Sequence, residues 1–79
     1  MEHNEAELIL SRAEKLLEFY EEHKDLLPME HQLAVATGID RLKRDLARVR
    51  DGSRPELVLS VKMGSVGLKD ALIFLLEQD

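Results

Sequence analysis

Two histidines flank a proline in this chain of 79 residues, His23 and His31, and each has a glutamate beside it, Glu22 and Glu30. Imidazole nitrogens and carboxylate oxygens are metal ligands, so this quartet is the first place to look for a metal centre. Its spacing argues against one. Ligands three or four residues apart share a helix face, whereas adjacent residues diverge by about 100 degrees. The third histidine, His3, stands apart from both. Acid-base chemistry would need a carboxylate or an imidazole in a dry cleft, and the acids of the first third fall on a polar helical face as solvated charge. Ser11, Ser53, Ser60 and Ser65 sit beside no histidine in a nucleophile motif. Gly64-Ser65-Val66-Gly67 has the glycines of a phosphate loop without its preceding strand or its lysine. The expectation is therefore a chain that is not an enzyme, with no catalytic residue, metal, cofactor or small-molecule substrate.

Basic residues offer a different chemistry. Arg41, Arg44 and Arg48 line one helical stripe, with Lys43, Arg50 and Arg54 nearby, and such a stripe can contact phosphates. Leu33-Ala34-Val35-Ala36-Thr37-Gly38-Ile39-Asp40-Arg41 resembles the first half of a helix-turn-helix, with Gly38 at the turn. Were it one, a dimeric DNA-binding regulator would use Arg41, Lys43, Arg44 and Arg48 as its nucleic-acid contacts. The resemblance covers nine residues. Beyond them Val35, Ile39, Leu42, Leu46 and Val49 keep a single apolar phase across Gly38, the pattern of one continuous helix. A net charge of −5 also disfavours nucleic acid. The arginines then read as a solvated face opposite the acids of the first helix.

The elements that must hold any such face are helices. Ala6, Leu10, Ala13, Leu17, Tyr20 and Leu27 recur at steps of three and four, broken only by Lys24, and the same spacing resumes at Val35. This predicts an all-α chain built on an antiparallel helical hairpin. Helix 1 is expected over about 4–25, from an Asn4-Glu5-Ala6-Glu7 capping box. Pro28 makes the turn, helix 2 runs over about 28–50, and Asp51-Gly52 ends it. Residues 1–27 carry eight acids against three bases, and residues 30–54 six bases against four acids, so charge assists the pairing.

Ser53-Arg54-Pro55-Glu56 reads as a second capping box, which places a short helix over about 54–63. Leu57, Leu59, Val61 and Met63 also alternate with Val58, Ser60 and Lys62, the period of a half-buried strand, but an isolated strand has no ladder partner within the chain. The glycines at 64 and 67 then break the chain, and a last helix is expected over about 66–78. In it, Leu72-Ile73-Phe74-Leu75-Leu76 spreads five apolar side chains around the whole circumference. Packing on one surface hides about half of such a helix. The remainder marks a contact site, and the expected anchors are Leu57, Leu59, Leu72, Ile73, Phe74 and Leu76.

Seventy-nine residues suit one domain, and a chain of that length buries only about 60 per cent of its unfolded surface. Association is the device left to strengthen it, because there is no cysteine for a disulfide. The lack of cysteine and the acidic, polar start at Met1-Glu2-His3-Asn4-Glu5 point to the cytoplasm, and no apolar run approaches the length of a membrane span. The reading is a small interaction module, an adaptor, chaperone-like or regulatory subunit, completed by a protein partner or by its own copy.

Overall fold

Apolar side chains at steps of three and four wind one stripe along each of three helices. The computed structural model describes residues 2–77, with side chains from Glu5 onward. Helix α1 spans Glu2–His23, α2 spans Met29–Arg50 and α3 spans Val58–Leu76, with single 3-10 turns at Lys24–Leu26 and Pro55–Leu57. Among the described residues there is no strand.

Two elements differ from the sequence reading. α1 begins at Glu2, so Asn4 lies inside the first turn and not at a cap. The two short helices expected over 54–63 and 66–78 are one helix, which passes through Gly64 and Gly67 without a break; Gln78, the expected last residue, lies outside the described residues. The reason is a stripe that the glycines do not interrupt. Val58, Val61, Ser65, Leu68, Leu72 and Leu75 follow one another at alternating steps of three and four, and all six are buried or half-buried. Ser65 fits its place because its hydroxyl donates to the carbonyls of Val61 (2.8 Å) and Lys62 (3.1 Å) within the same helix. Two interior glycines cost about 1 kcal/mol each relative to alanine. Burial of Val61, Leu68 and Leu72 outweighs that, each large aliphatic side chain contributing about 1.5–3 kcal/mol. The strand alternative fails with it, since residues 58–63 are helical.

The turn between α1 and α2 is held by proline and by one amide. Leu27, which precedes Pro28, is extended (φ −99°, ψ 137°), and the Pro28 carbonyl accepts from the amides of His31 and Gln32 to start α2. The Gln32 side chain reaches back, its Nε2 donating to the carbonyls of Lys24 and Leu27, both at 3.0 Å. The Lys24 carbonyl also accepts from the Leu27 amide at 3.0 Å, so backbone and side chain together close the end of the 3-10 turn. At the far end of α2, Gly52 takes the left-handed conformation (φ +82°). Ser53 there serves the end of α2 and not the start of α3: its hydroxyl donates to the Arg48 carbonyl, and no side chain caps the entry to α3.

The core is a single cluster drawn from all three helices and the first turn, with Leu10, Ala13 and Tyr20 from α1, Leu27 from the turn, Val35, Ile39, Leu42 and Leu46 from α2, and Val61, Leu68 and Leu72 from α3. α3 touches each of the other helices more extensively than they touch one another. It therefore sits as a wedge along the pair. Charge also joins α1 to α2 directly at their shared edge. The Arg50 guanidinium lies against Glu7 through two bonds of 2.9 Å and against Glu14 through two of 3.0 Å, while Lys43 Nζ lies 3.9 Å from Glu21. The body measures 42 × 21 × 18 Å. No helix among the described residues is long and apolar enough to cross a membrane.

Candidate interaction surface

A helix that packs on one side of a small bundle normally carries polar residues on the other. α3 does not. Its stripe of Val61, Leu68 and Leu72 is buried, and the opposite face carries Leu59, Met63, Val66, Ile73 and Phe74, all exposed. Met63 is 71% exposed and Phe74 61%. Three charges lie among them: Asp70 within the face, Lys62 and Lys69 at its edge. None makes an ion pair among the described residues.

Of the six anchors expected from sequence, Leu59, Ile73, Phe74 and Leu76 are exposed on α3 and Leu57 is half-buried at the end of the 3-10 turn. Leu72 is a correction: at 3% exposure it is part of the core and presents nothing to a partner. It falls in phase with Val61 and Leu68, a relation hidden when residues 64–67 are taken as a break. Met63 and Val66 belong to the exposed face and were missed for the same reason. Once 58–76 is one helix, Leu59, Met63, Val66 and Ile73 fall on its outward side by spacing alone.

Between this face and α2 runs a groove of about 500 Å3. Ala34, Gly38 and Arg41 line it from α2, and Ser60, Gly64 and Gly67 from α3. A β-carbon added at Gly38 or Gly67 would meet nothing within 4 Å. Packing within this chain therefore gives no reason for either glycine. Ser60 donates to Asp45 Oδ2 at 3.0 Å across the groove's end.

The basic residues of α2 form no helix-turn-helix. α2 is unbroken through Gly38, so the stretch 33–41 supplies no turn and no separate second helix. Arg41, Lys43, Arg44 and Arg48 are all exposed. Lys43 faces Glu21, whereas Arg41, Arg44 and Arg48 make no ion pair among the described residues, so only part of the basic face is matched by the acids of α1. Between α1 and α2 the closest charge matching is at Arg50, whose pairing with Glu7 and Glu14 the spacing did not signal. Its guanidinium holds the Glu7 carboxyl below the usual carboxylate range, chiefly through their hydrogen bonds, and is itself pushed up by Glu7 and Glu14.

The two histidines that flank the turn have different surroundings. His23 Nδ1 donates to the Phe19 carbonyl at 2.8 Å, and its ring stacks on Phe19 with centroids 4.2 Å apart. His31 Nδ1 is buried without a hydrogen-bond partner. Among the described residues no three His, Asp or Glu side chains converge in a way that would hold a metal ion. Compared with known proteins, the chain matches no family model, no curated protein and no solved structure.

Proposed function

We propose that this chain is a small non-enzymatic interaction module, an adaptor, chaperone-like or regulatory subunit of the cytoplasm, that binds protein through the outward face of α3. In this reading α1 and α2 form an antiparallel hairpin whose task is to display α3. The observation that carries it is the apolar character of α3 on both its sides, with only one side covered. Leaving Leu59, Met63, Val66, Ile73 and Phe74 in water forgoes about 25 cal/mol for each Å2 of apolar surface they expose, which a docked partner recovers. Contiguous apolar surface of this kind on a small chain marks an interaction site.

The test is a comparison of the native chain with Phe74→Asp, using a dye that fluoresces on apolar surface and the mass in solution. The native chain is expected either to associate or to bind the dye, and Phe74→Asp to lose that behaviour with its helicity intact. A native chain that is monomeric and binds no dye contradicts the proposal.

A further inference from the structure

The outward face of α3 has a symmetry in its sequence. Val66 is at its centre; Lys62 lies four residues before it and Asp70 four after, and Leu59 lies seven before and Ile73 seven after. All five are exposed on α3. We propose that the partner of this face is a second copy of the chain, docked through an antiparallel α3–α3 pair whose two-fold axis passes beside Val66. This deepens the reading of α3 as the interaction surface and rests on it.

In an antiparallel pair about a two-fold axis, residues equally far on either side of the centre face each other across the interface. Val66 then meets Val66 of the second copy, Leu59 meets Ile73, and Lys62 meets Asp70. The two charges, which have no partner within the described chain, become two opposite-charge pairs. They cannot pair within one helix, because eight residues separate them by about 12 Å along the axis. A parallel pair would place lysine against lysine and aspartate against aspartate, so charge selects the antiparallel arrangement. Self-association is also open to this face despite the chain's charge of −5, because within α3 the only charged residues are Lys62, Lys69 and Asp70. The acids that would repel a second copy are concentrated on α1.

The native chain of 79 residues contains no cysteine, so single cysteines report on geometry cleanly. Val66→Cys is expected to form a disulfide-linked dimer on mild oxidation, since helices packed 8–10 Å apart bring a residue on the axis close to its own copy. Leu59→Cys is the control, its two copies lying about 21 Å apart in this register. The second arm exchanges charge. Lys62→Glu and Asp70→Lys are each expected to raise the dimer dissociation constant by about threefold to tenfold, and the double exchange to restore it while each variant remains helical. A double exchange that associates as poorly as the single variants overturns the register. A monomeric native chain whose Val66→Cys variant cross-links no faster than Leu59→Cys overturns the pairing; if that monomer still binds the apolar dye, α3 remains an interaction surface for another protein, and if it does not, both readings fall.

Discussion

The Cδ1 atom of Leu42 lies 3.5 Å from the point a β-carbon on Gly64 would occupy. α2 and α3 are thus spaced so that alanine at 64 would make an ordinary contact with the core. Gly64→Ala is expected to stabilise the chain by about 0.5–1 kcal/mol through helix propensity. Gly38→Ala, whose β-carbon would meet nothing within 4 Å, should gain a similar amount. Thermal melts of both variants check this, and a lowered midpoint for Gly64→Ala would mean that the helices need to approach more closely there.

Leu72 and Phe74 are two residues apart in one apolar run and have opposite roles. Leu72→Ala removes a core side chain and should cost about 2–5 kcal/mol of stability. Phe74→Asp should leave the unfolding free energy of the isolated chain within about 0.5 kcal/mol of its native value. Equal losses from both, measured by urea titration at low protein concentration, would place Phe74 in the core.

How much of this was legible from sequence follows from where the apolar phase was traced. The stripes of α1 and α2 were visible as recurring leucine, isoleucine, valine and alanine, and the proline turn and the Asp51-Gly52 ending were visible as backbone constraints. The continuity of Val35, Ile39 and Leu42 across Gly38 identified an unbroken helix. The same test across Gly64 and Gly67 gives the same answer, because Val61, Ser65 and Leu68 keep their phase; glycine propensity, a local cost of about 1 kcal/mol per residue, hid it. The polar Ser65 in the stripe obscured it further, its hydroxyl being satisfied by carbonyls one turn back. With α3 divided, Leu72 passed for a surface residue and Met63 and Val66 passed unnoticed. The bonds from Gln32 and Arg50 join residues whose spacing along the chain carries no helical signal.

Gln32 holds the first turn through two carbonyls, and its amide is the only group on that side chain that can donate. Gln32→Glu keeps the shape and removes both bonds, and is expected to destabilise by about 1–3 kcal/mol. Hydrogen exchange should show the loss first at the amides of Leu27 and His31, beside the turn. Unchanged exchange there would show that Pro28 alone fixes the turn.

Arg50 makes stability depend on acid and on salt. The Glu7 carboxyl titrates below its usual value of 4.5 because Arg50 bonds to its charged form. Its contribution is therefore complete at neutral pH and is lost as pH falls through that depressed value. Arg50→Gln should lower the melting temperature slightly at pH 7 in low salt. The gap from the native chain should begin to narrow as pH falls below the usual value of 4.5 and close once pH is below the depressed value of Glu7, and it should also close in 1 M salt, where exposed pairs are screened. A gap that persists in acid and in salt would assign the effect to packing of the arginine stem.

In the proposed pair a second copy of this chain covers the outward face of α3. Light scattering of the native protein across a concentration series measures this most directly. The mass is expected to rise with concentration to twice the 9.0 kDa of one chain and stop there, as a closed two-fold pair requires. A constant mass of 9.0 kDa at every concentration contradicts it.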